Sequence, residues 1–509
     1  MKSSDRINNI KRNIIFSMLY RIINLLFPFV INYMIIKTIG VEYLGLNMLF
    51  SSILQVLSLT ELGFGTALVF SMYEPIAKND TEKVSALLSL YRRIYLIIGM
   101  VILCGGLACI PLLPKIIKGD VPDGLNIYIL FIISLTHTVV TYFMFAYRSA
   151  LLVASQRKDI LDKVSTLIEI ALNGSKILIL LLTKNYYLFC LLQPVYAVIS
   201  NLVVWIVSKK MFPDYKCAGI ISKAEKKSIF SRVLGLSINK ICGVLTNSFD
   251  SVIISSFLGL TILGQYNNYF VITNAVIFLI CIITASATSS IGNSMVCESL
   301  EKNYTDFTTF QFGFSMLSGW AAVCLLCLIQ PFIKVWVGAE LLFEDGTFAV
   351  FSIYMYAIVM SAVFMTYREA AGIWAHDRIR PFVEGGLNLI LNIILVKWIG
   401  VSGVMLSTIL TMGIIKTVWG SRFLFKEYFK GYSQMEYLMH LLLYTVVTVI
   451  AGAATYFVCS FIKLEGIPEL IVKALICMII PPVIFVVCFF RTKEFKRCFS
   501  LAKSLIRRK

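Results

Sequence analysis

Two basic residues lie in stretches that are apolar enough to cross a bilayer, and the chemistry they offer is the binding of an anion. Arg21 is in the first such stretch and Lys240 in the seventh. A cation at membrane depth costs roughly 3 kcal/mol or more on insertion scales. The two residues also occupy the same place in the two halves of a duplicated chain. We therefore expect one shared polar cavity in which both hold a negatively charged group.

Further polar side chains recur at helical spacing around these two residues. Ser17, Arg21, Asn24 and Asn32 fall on one face of the first stretch, and the second and seventh stretches carry similar faces. In a bilayer such faces must turn toward protein or water. We expect the following residues to line the cavity or lie beside it: Asn24, Asn47, Gln55, Glu61, Lys176, Asn247 and Asp250.

Several of these charges have a structural alternative. Arg21 and Glu61 lie at similar depth on the first two helices, so they could form an ion pair, which lowers the insertion cost. Asp250 is roughly 15 Å from Lys240 along the same helix, too far for contact. Lys176 either bridges to a neighbouring helix or lines the outer part of the cavity. Three basic residues near cytoplasmic helix ends, Arg148, Arg368 and Lys416, are expected to snorkel toward water.

The composition identifies an all-α integral membrane protein. The chain has 509 residues, of which 58% are hydrophobic, and a spanning helix needs about 20 mostly apolar residues. We interpret the first stretch as an uncleaved helix. Fourteen stretches qualify: 14–36, 43–73, 90–112, 125–147, 160–182, 186–207, 230–256, 262–291, 311–333, 348–367, 381–399, 402–420, 435–458 and 467–490.

The net charge of +18 is explained by membrane topology. If the N-terminus is cytoplasmic and the helices alternate, most lysines and arginines fall at the cytoplasmic helix ends, including Arg157 and Lys158 and the tail from Arg491 to Lys509. This is the positive-inside pattern, and it also favours contact with anionic lipids. It places both termini in the cytoplasm and argues against a nucleic-acid partner.

An internal repeat organises the chain. At a shift of 219 residues, Ile39-Gly40 matches Leu258-Gly259, Leu44-Gly45 matches Leu263-Gly264, and Arg21 matches Lys240. The repeat unit holds six helices, and because six is even, the two lobes should be related by a pseudo-twofold axis along the membrane normal. We predict an N-lobe at 1–208, a basic cytoplasmic linker at 209–229, a C-lobe at 230–426, and two extra helices with a basic tail at 427–509.

No catalytic or metal-binding arrangement is apparent in the sequence. Cys324 and Cys327 form a C-x-x-C pair inside an apolar run, but zinc requires further ligands and no second pair follows nearby. We interpret the cysteines as small hydrophobic residues. The three histidines are scattered, and no nucleophile lies beside a base. We therefore expect neither an enzyme nor a bound cofactor or metal, and leave coupling to H⁺ or Na⁺ open, with Glu61 and Asp250 as candidate acids.

The chain resembles the polysaccharide (O-antigen-type) flippases of the multidrug/oligosaccharidyl-lipid/polysaccharide exporter superfamily over essentially its whole length. The likeness is carried by a basic N-terminus and by the order of four loose motifs: IIKTIGVEYLGLNMLF, LTELGFGTAL, YRSALLVASQRKD and LGLTILGQYNNY. It implies two six-helix lobes around a central cavity, and alternating access by which the lobes rock against each other.

The resemblance also implies a substrate. Members of the family move undecaprenyl-diphosphate-linked oligosaccharides across the bacterial cytoplasmic membrane for surface polysaccharide synthesis, alongside glycosyltransferases and polymerases. Arg21 and Lys240 would then bind the diphosphate. A related branch flips the lipid-linked peptidoglycan precursor with cavity arginines on helices 1, 2 and 8. Here Arg21 corresponds to the cavity arginine on helix 1, but helices 2 and 8 carry no internal arginine.

Two other functions remain open from the sequence. A drug or cation antiporter of the same superfamily would use acidic or aromatic cavity groups, for which Glu61 and Asp250 are available. A membrane enzyme acting on the same glycolipids, such as a polymerase or ligase, would need a sizeable outer loop. The longest outer loops, near 113–124 and 334–347, are short, which disfavours this class.

Overall fold

The structure is a computed structural model that describes residues 3–61, 63–119, 121–122, 124–373, 377 and 379–507. Side chains are described for these residues except 3–11, 14, 60, 231–232, 234–242, 246–247, 502 and 504–507. The described residues are helical almost throughout and contain no β-strand. The chain divides into two compact units, Met1–Gly264 and Gln265–Lys509.

Among its described residues, unit 1 contains ten α-helices. A short 3₁₀ segment, Ser58–Glu61, separates the second helix from the third. The helices are α1 (Ser3–Thr38), α2 (Val41–Leu57), α3 (Phe64–Ala77), α4 (Thr81–Cys109), α5 (Leu113–Ile116), α6 (Ile127–Phe143), α7 (Ala146–Ala154), α8 (Lys158–Thr183), α9 (Tyr186–Met211) and α10 (Lys223–Leu258).

Unit 2 takes in the rest of the chain, and its first helix begins just before the boundary. A π-helical segment, Met412–Trp419, lies between α14 and α15. The helices are α11 (Leu260–Cys297), α12 (Leu300–Trp336), α13 (Thr347–Ala370), α14 (Arg380–Thr411), α15 (Gly420–Glu427), α16 (Gln434–Ser460), α17 (Ile467–Phe489) and α18 (Lys493–Arg507).

The prediction of an all-α membrane protein is confirmed, whereas the count of fourteen spans stays a prediction. Within the described residues, ten helices are long and apolar enough to cross a membrane, or eleven if α6 and α7, bent by 51°, form one span. Val41–Leu57 and Gly243–Leu258 are apolar but shorter. Helix α14 is broken where the sequence predicts a break between two helices, because Ile399 and Gly400 have non-helical dihedrals. Its two parts pack against each other, since the Asn388 amide donates to the Thr408 hydroxyl, 20 residues further along the chain, at 2.9 Å.

The predicted lobe boundaries also stay a prediction. Helix α10, which the sequence assigns to the start of the C-lobe, packs on α2 and α3 within unit 1. Its N-terminus is capped by the Ser222 hydroxyl, which accepts the Glu225 N–H and donates to the Glu225 carboxylate. Hydrogen bonds from Lys83, at 2.7 Å, and from Ser222 hold the pKa of Glu225 below its usual value.

Helix α1 is fastened to α8 by polar contacts near its N-terminal end. The Asp159 carboxylate, 1% exposed, accepts from Arg12 at 2.7 Å and from Arg157 at 3.0 Å. One turn further along α8, Asp162 accepts a hydrogen bond from Ser17. A buried carboxylate is tolerated only when it is paired in this way. These contacts turn one side of α1 toward α8 and leave the other side for the residues considered below.

The residues of the internal repeat make equivalent local geometry. Gly40 and Gly259, matched at a shift of 219, have φ values of 120° and 96° and each joins two helices. Gly45 and Gly264, also matched, lie where α2 meets the start of α11. A Cβ on Gly45 would lie 2.1 Å from the Leu260 carbonyl oxygen, and one on Gly264 would lie 2.3 Å from that of Val41. Glycine is therefore required for this close helix approach.

The expectation that Arg368 snorkels is wrong. Its side chain is 4% exposed and forms an ion pair with the buried Asp377. Asp377 also accepts from Arg380 at 2.9 Å, and Arg380 reaches Glu384 at 2.5 Å. The cost of desolvating these charges is offset because each one meets an opposite charge, so the arginine has no need to reach water. The network joins the end of α13 to the beginning of α14.

Candidate functional site

The polar face predicted on α1 divides into a structural part and an exposed part. Ser17 is occupied by the contact with Asp162 on α8, and Asn32 is buried. Arg21 and Asn24 lie between them and are both exposed. The Asn24 amide donates to the Tyr20 carbonyl at 2.9 Å. Arg21 and Asn24 therefore present polar groups at the surface of unit 1, within the candidate span Ile15–Thr38.

Arg21 lies well inside that span. It is six residues from Ile15, which corresponds to about 9 Å along the helix axis. Its neighbours Ile22 and Leu26 are exposed apolar residues, as expected for a helix in a membrane protein. A guanidinium at this position offers several N–H donors in a planar fork, which matches a phosphate oxygen pair.

Helix α2 carries two of the predicted amides. Asn47 is half-buried and Gln55 is exposed. The Gln55 side-chain carbonyl accepts from the Ser248 hydroxyl on α10 at 3.3 Å. That contact fixes one end of the Gln55 amide and leaves its NH₂ group as a donor for further hydrogen bonds. Gln55 is thus positioned by α10 within the same unit as Arg21.

Glu61 lies beside a cluster of three tyrosines. One carboxylate oxygen accepts from the Tyr95 hydroxyl at 2.5 Å and the other from Tyr142 at 2.7 Å. Tyr91 stacks on Tyr95 with ring centroids 4.2 Å apart. Glu61, Tyr91 and Tyr95 line one side of a cavity of about 470 Å³, whose other walls include Gly65 and residues of α7. A carboxylate in an aromatic pocket can attract a cation.

The cluster that Tyr91, Tyr95 and Tyr142 form beside Glu61 is a feature that the sequence reasoning missed. Tyr91 and Tyr95 are four residues apart on α4, so their sharing of one face is readable from the sequence. Their proximity to Glu61 and to Tyr142, on α6, cannot be read from the sequence, because no local pattern connects these helices. Only the tertiary structure therefore shows which residues contact Glu61.

Lys176 and Asp250 are enclosed within unit 1. Lys176, on α8, is buried, and its ammonium lies 4.9 Å from the centre of the Phe189 ring on α9, a cation–π contact. This matches the bridging alternative for Lys176 better than exposure to an open cavity. Asp250, on α10, is 2% exposed.

Two predicted residues have side chains outside the described residues. Lys240 and Asn247 belong to α10 by their backbone, but their side chains are not among those described. The pairing of Arg21 with Lys240 in one site therefore stays a prediction. The structure places the other seven predicted site residues in unit 1, with Arg21, Asn24 and Gln55 exposed and the rest half-buried or buried.

A further arginine is distinguished by its burial. Arg148, on α7, matches Arg368 in the internal repeat and is 7% exposed. Unlike Arg368, it leaves its Nε and Nη1 atoms without a hydrogen-bond partner among the described residues. Its guanidinium packs 5.5 Å from the centre of the Tyr147 ring. The expectation that it snorkels is wrong as well, because its guanidinium is enclosed by neighbouring helices.

The long apolar helices define a multi-pass helical membrane protein. The family follows from the sequence: residues 10–288 match the model of the polysaccharide biosynthesis protein family, and the chain belongs to that family. This confirms the resemblance noted from the motifs. A search of curated protein sequences gives no significant match.

Solved structures support the same fold. The lipid II flippase MurJ in an inward closed conformation aligns with a TM-score of 0.66 at 16% identity, covering 94% of this chain and 99% of that one. An inward-facing multidrug resistance MATE family transporter of the MOP superfamily aligns with a TM-score of 0.60 at 16% identity, covering 79% and 93%. A MOP superfamily transporter from Pyrococcus furiosus gives 0.52 at 14% identity, covering 82% and 96%.

Proposed function

We propose that this chain is a flippase that moves an undecaprenyl-diphosphate-linked oligosaccharide from the inner to the outer leaflet of the bacterial cytoplasmic membrane. The observation that carries the proposal is membership of the polysaccharide biosynthesis protein family. The fold shared with a lipid II flippase supports lipid-linked cargo. Both termini would be cytoplasmic, and the protein would act by alternating access without catalysing a reaction.

Arg21 is the residue we assign to the diphosphate. Its exposed guanidinium, about 9 Å inside a span, can bind two phosphate oxygens at once. Lys240 would add a second positive charge as a point donor. The amides of Asn24, Asn47, Gln55 and Asn247 would donate to sugar hydroxyls. The polyprenyl tail would stay in lipid, since burying it in a polar cavity offers no gain.

The direct test is export of surface polysaccharide in cells that depend on this chain. Arg21→Ala and Lys240→Ala should each reduce the polysaccharide at the surface by about tenfold or more, because one lost charge-assisted contact corresponds to at least 1.4 kcal/mol. Arg21→Lys should retain part of the activity, since the charge remains but the planar fork is lost.

A matched control is available on the same helix. Ile22→Ala changes an exposed neighbour of Arg21 without removing charge, and export should be unchanged. All variants must be present in the membrane at the level of the unchanged protein. Normal export by the Arg21→Ala, Lys240→Ala double variant would contradict the two-cation site.

The lipid-linked peptidoglycan precursor is the neighbouring alternative substrate, and the cell assay separates the two. Loss of the chain should leave unpolymerised lipid-linked repeat units on the cytoplasmic face while cell-wall synthesis continues. Arrested cell-wall synthesis would instead assign the peptidoglycan precursor. Glycosyltransferases that build the repeat unit and a polymerase that extends it are the partners we expect.

A second candidate function, cation or drug antiport, is favoured by the Glu61 cavity. A carboxylate held by Tyr95 and Tyr142 beside a space of about 470 Å³ suits a bound H⁺, Na⁺ or organic cation. In a flippase the same group would couple export to an ion gradient, with Asp250 as the other candidate acid.

Glu61→Gln distinguishes the two roles. If Glu61 serves ion coupling, the variant should lose gradient-driven export while still binding the lipid-linked substrate. If the chain is an antiporter of drugs, its overproduction should confer drug resistance that Glu61→Gln abolishes and Arg21→Ala leaves intact. Full polysaccharide export by Glu61→Gln under every ion gradient would remove Glu61 from the transport cycle.

A further inference from the structure

Cysteines from three helices of unit 2 meet at one place. Cys327 is on α12, Cys459 on α16 and Cys477 on α17. Their sulfur atoms all lie within 4.8 Å of one another. Cys324, one turn before Cys327 on α12, places a fourth thiol on the same face of that helix. The C-x-x-C pair, which has no second pair nearby in the sequence, therefore acquires two partners from distant parts of the chain.

The cluster is shielded from solvent. The exposed fraction is 4% for Cys327, 2% for Cys459 and 0% for Cys477, and all are free cysteines. A single buried cysteine is ordinarily a small hydrophobic residue. Three from separate helices in mutual contact differ, because thiols pair weakly with one another, whereas thiolates bind soft cations strongly.

The spacing suits a metal ion. A tetrahedral zinc site with a Zn–S bond of 2.3 Å holds its sulfurs about 3.8 Å apart. The cluster already lies within 4.8 Å, so closing on an ion requires shifts of about 1 Å or less, within the reach of side-chain rotation. A closed tetrahedral set requires a fourth ligand, and Cys324, three residues before Cys327 on the same face of α12, is available for that position.

The surroundings also help to balance charge. Lys473 lies one turn before Cys477 on α17, and its positive charge acts on both Cys459 and Cys477. It donates to Glu469 at 2.7 Å, which holds it in place. The Trp320 indole N–H donates to the Cys477 carbonyl at 2.9 Å and fixes the backbone there. Thiolates without a cation would be costly in such a site.

We propose that Cys324, Cys327, Cys459 and Cys477 form a structural site for a thiophilic d¹⁰ cation, for which Zn²⁺ fits the four-sulfur set best. The ion would fasten α16 and α17 to α12. Each thiol that binds the ion releases its proton to solvent. The site does not depend on the proposed transport function, and its success or failure leaves that function untouched.

The test is a metal count on the full-length chain. The protein is purified in detergent under reducing conditions without a metal-binding tag, incubated with Zn²⁺, dialysed and analysed by elemental mass spectrometry. We expect about one Zn²⁺ per chain. The proposal would be overturned if the unchanged protein bound neither Zn²⁺ nor, when that ion is supplied, Cu⁺ above background. This result would hold even if every variant misfolded. One Cu⁺ in place of Zn²⁺ would support the site and identify its ion.

Cysteine variants locate the ion. Cys477→Ala and Cys459→Ala should lower the bound metal by about tenfold or more. Cys488→Ala is the matched control, since Cys488 is on α17 with Cys477 but is exposed, and it should bind as much metal as the unchanged protein. Equal metal in Cys477→Ala and Cys488→Ala would contradict the assignment.

A spectroscopic readout checks the ligands. Co²⁺ in place of Zn²⁺ should give the intense thiolate-to-cobalt charge-transfer absorption of a tetrahedral sulfur site, and Cys477→Ala should lack it. Peptide mapping tests the alternative, in which the cysteines form a disulfide bond. A disulfide between any two of the four cysteines in protein isolated without oxidant would show that the cluster is a redox pair and would overturn the metal site.

Discussion

At the scale of single residues, the half-buried Glu61 is held by specific partners: two tyrosine hydroxyls donate to its two oxygens. Hydrogen bonds to an ionised acceptor are roughly twice as strong as neutral ones. They also orient the carboxylate toward the neighbouring cavity, so the tyrosines position Glu61 for any role in ion coupling.

Removing one of these donors should be measurable as lost stability. Tyr142→Phe leaves one Glu61 oxygen without its partner, which we expect to lower the free energy of unfolding by about 1–3 kcal/mol. Thermal unfolding in detergent would report this as a lower Tm. Tyr128→Phe is the control, because Tyr128 is on the same helix, α6, but is exposed. Equal Tm values for the two variants would mean that the Glu61 contact is energetically neutral.

Asp377 is a second residue whose charge we expect to be essential for folding. It accepts from both Arg368 and Arg380, and all three side chains are buried. Asp377→Asn should destabilise the protein by about 3–5 kcal/mol, because it leaves the buried Arg368 guanidinium without its carboxylate and Arg380 with Glu384 only.

The comparison for Asp377 is Glu384→Gln. Glu384 is 20% exposed, and Arg380, its ion-pair partner, keeps Asp377 when Glu384 is replaced, so the loss of Glu384 should cost less than the loss of Asp377. Yield of folded protein after purification and Tm in detergent are the measurements. A Glu384→Gln variant that is less stable than Asp377→Asn would show that Asp377 is not the centre of this network.

At the scale of helices, the internal repeat has a physical consequence. The matched glycines, Gly45 and Gly264, let α2 and the start of α11 approach until backbone meets backbone. Thr261, itself matched to Glu42 at a shift of 219 residues, donates to the Glu42 carboxylate at 3.2 Å. Equivalent residues of the two repeats therefore contact each other at this position, as expected where two copies of one element meet.

Adding a single methyl group tests this contact. Gly45→Ala and Gly264→Ala would each place a Cβ within 2.3 Å of a main-chain carbonyl oxygen, so the helices must separate at a cost of about 1–3 kcal/mol. Gly174→Ala is the control, since Gly174 is also in a helix and a Cβ there would meet nothing within 4 Å. A lower Tm for the first two variants only is the expected result. Unchanged Tm values for all three would show that the helix contact is adjustable.

At the scale of the whole molecule, the charge of the proposed cargo leads to a prediction about membrane potential. Moving one net negative charge outward is favoured by about 2.3 kcal/mol for every 100 mV of inside-negative potential. The cations of the empty carrier would return in the direction that the same field favours.

Reconstituted vesicles measure this effect. The chain is placed in liposomes with a fluorescent polyprenyl-diphosphate sugar, and a potassium gradient with valinomycin sets the potential. Movement of the probe toward the positive side should accelerate with potential and slow when the sign is reversed. A rate independent of potential would mean that the diphosphate is neutralised during transport, for example by a co-transported cation.

The sequence by itself determined the class of this protein and its repeat. Apolar stretches and the recurrence of Leu-Gly pairs at a fixed shift are readable without the fold, and a helix of about 20 apolar residues needs a bilayer wherever it occurs. The family resemblance rests on the order of such local motifs, which is why the match over residues 10–288 confirms it.

The tertiary structure decided which side chains meet. Glu61 with Tyr142, Arg368 with Asp377, and Cys327 with Cys459 and Cys477 are contacts between helices. Helical periodicity gives the face on which a residue lies but not the helix that covers it, because packing depends on the shapes of all neighbouring helices together. For that reason the C-x-x-C pair had the appearance of ordinary packing in the sequence, and became a candidate metal site only when α16 and α17 were placed against α12.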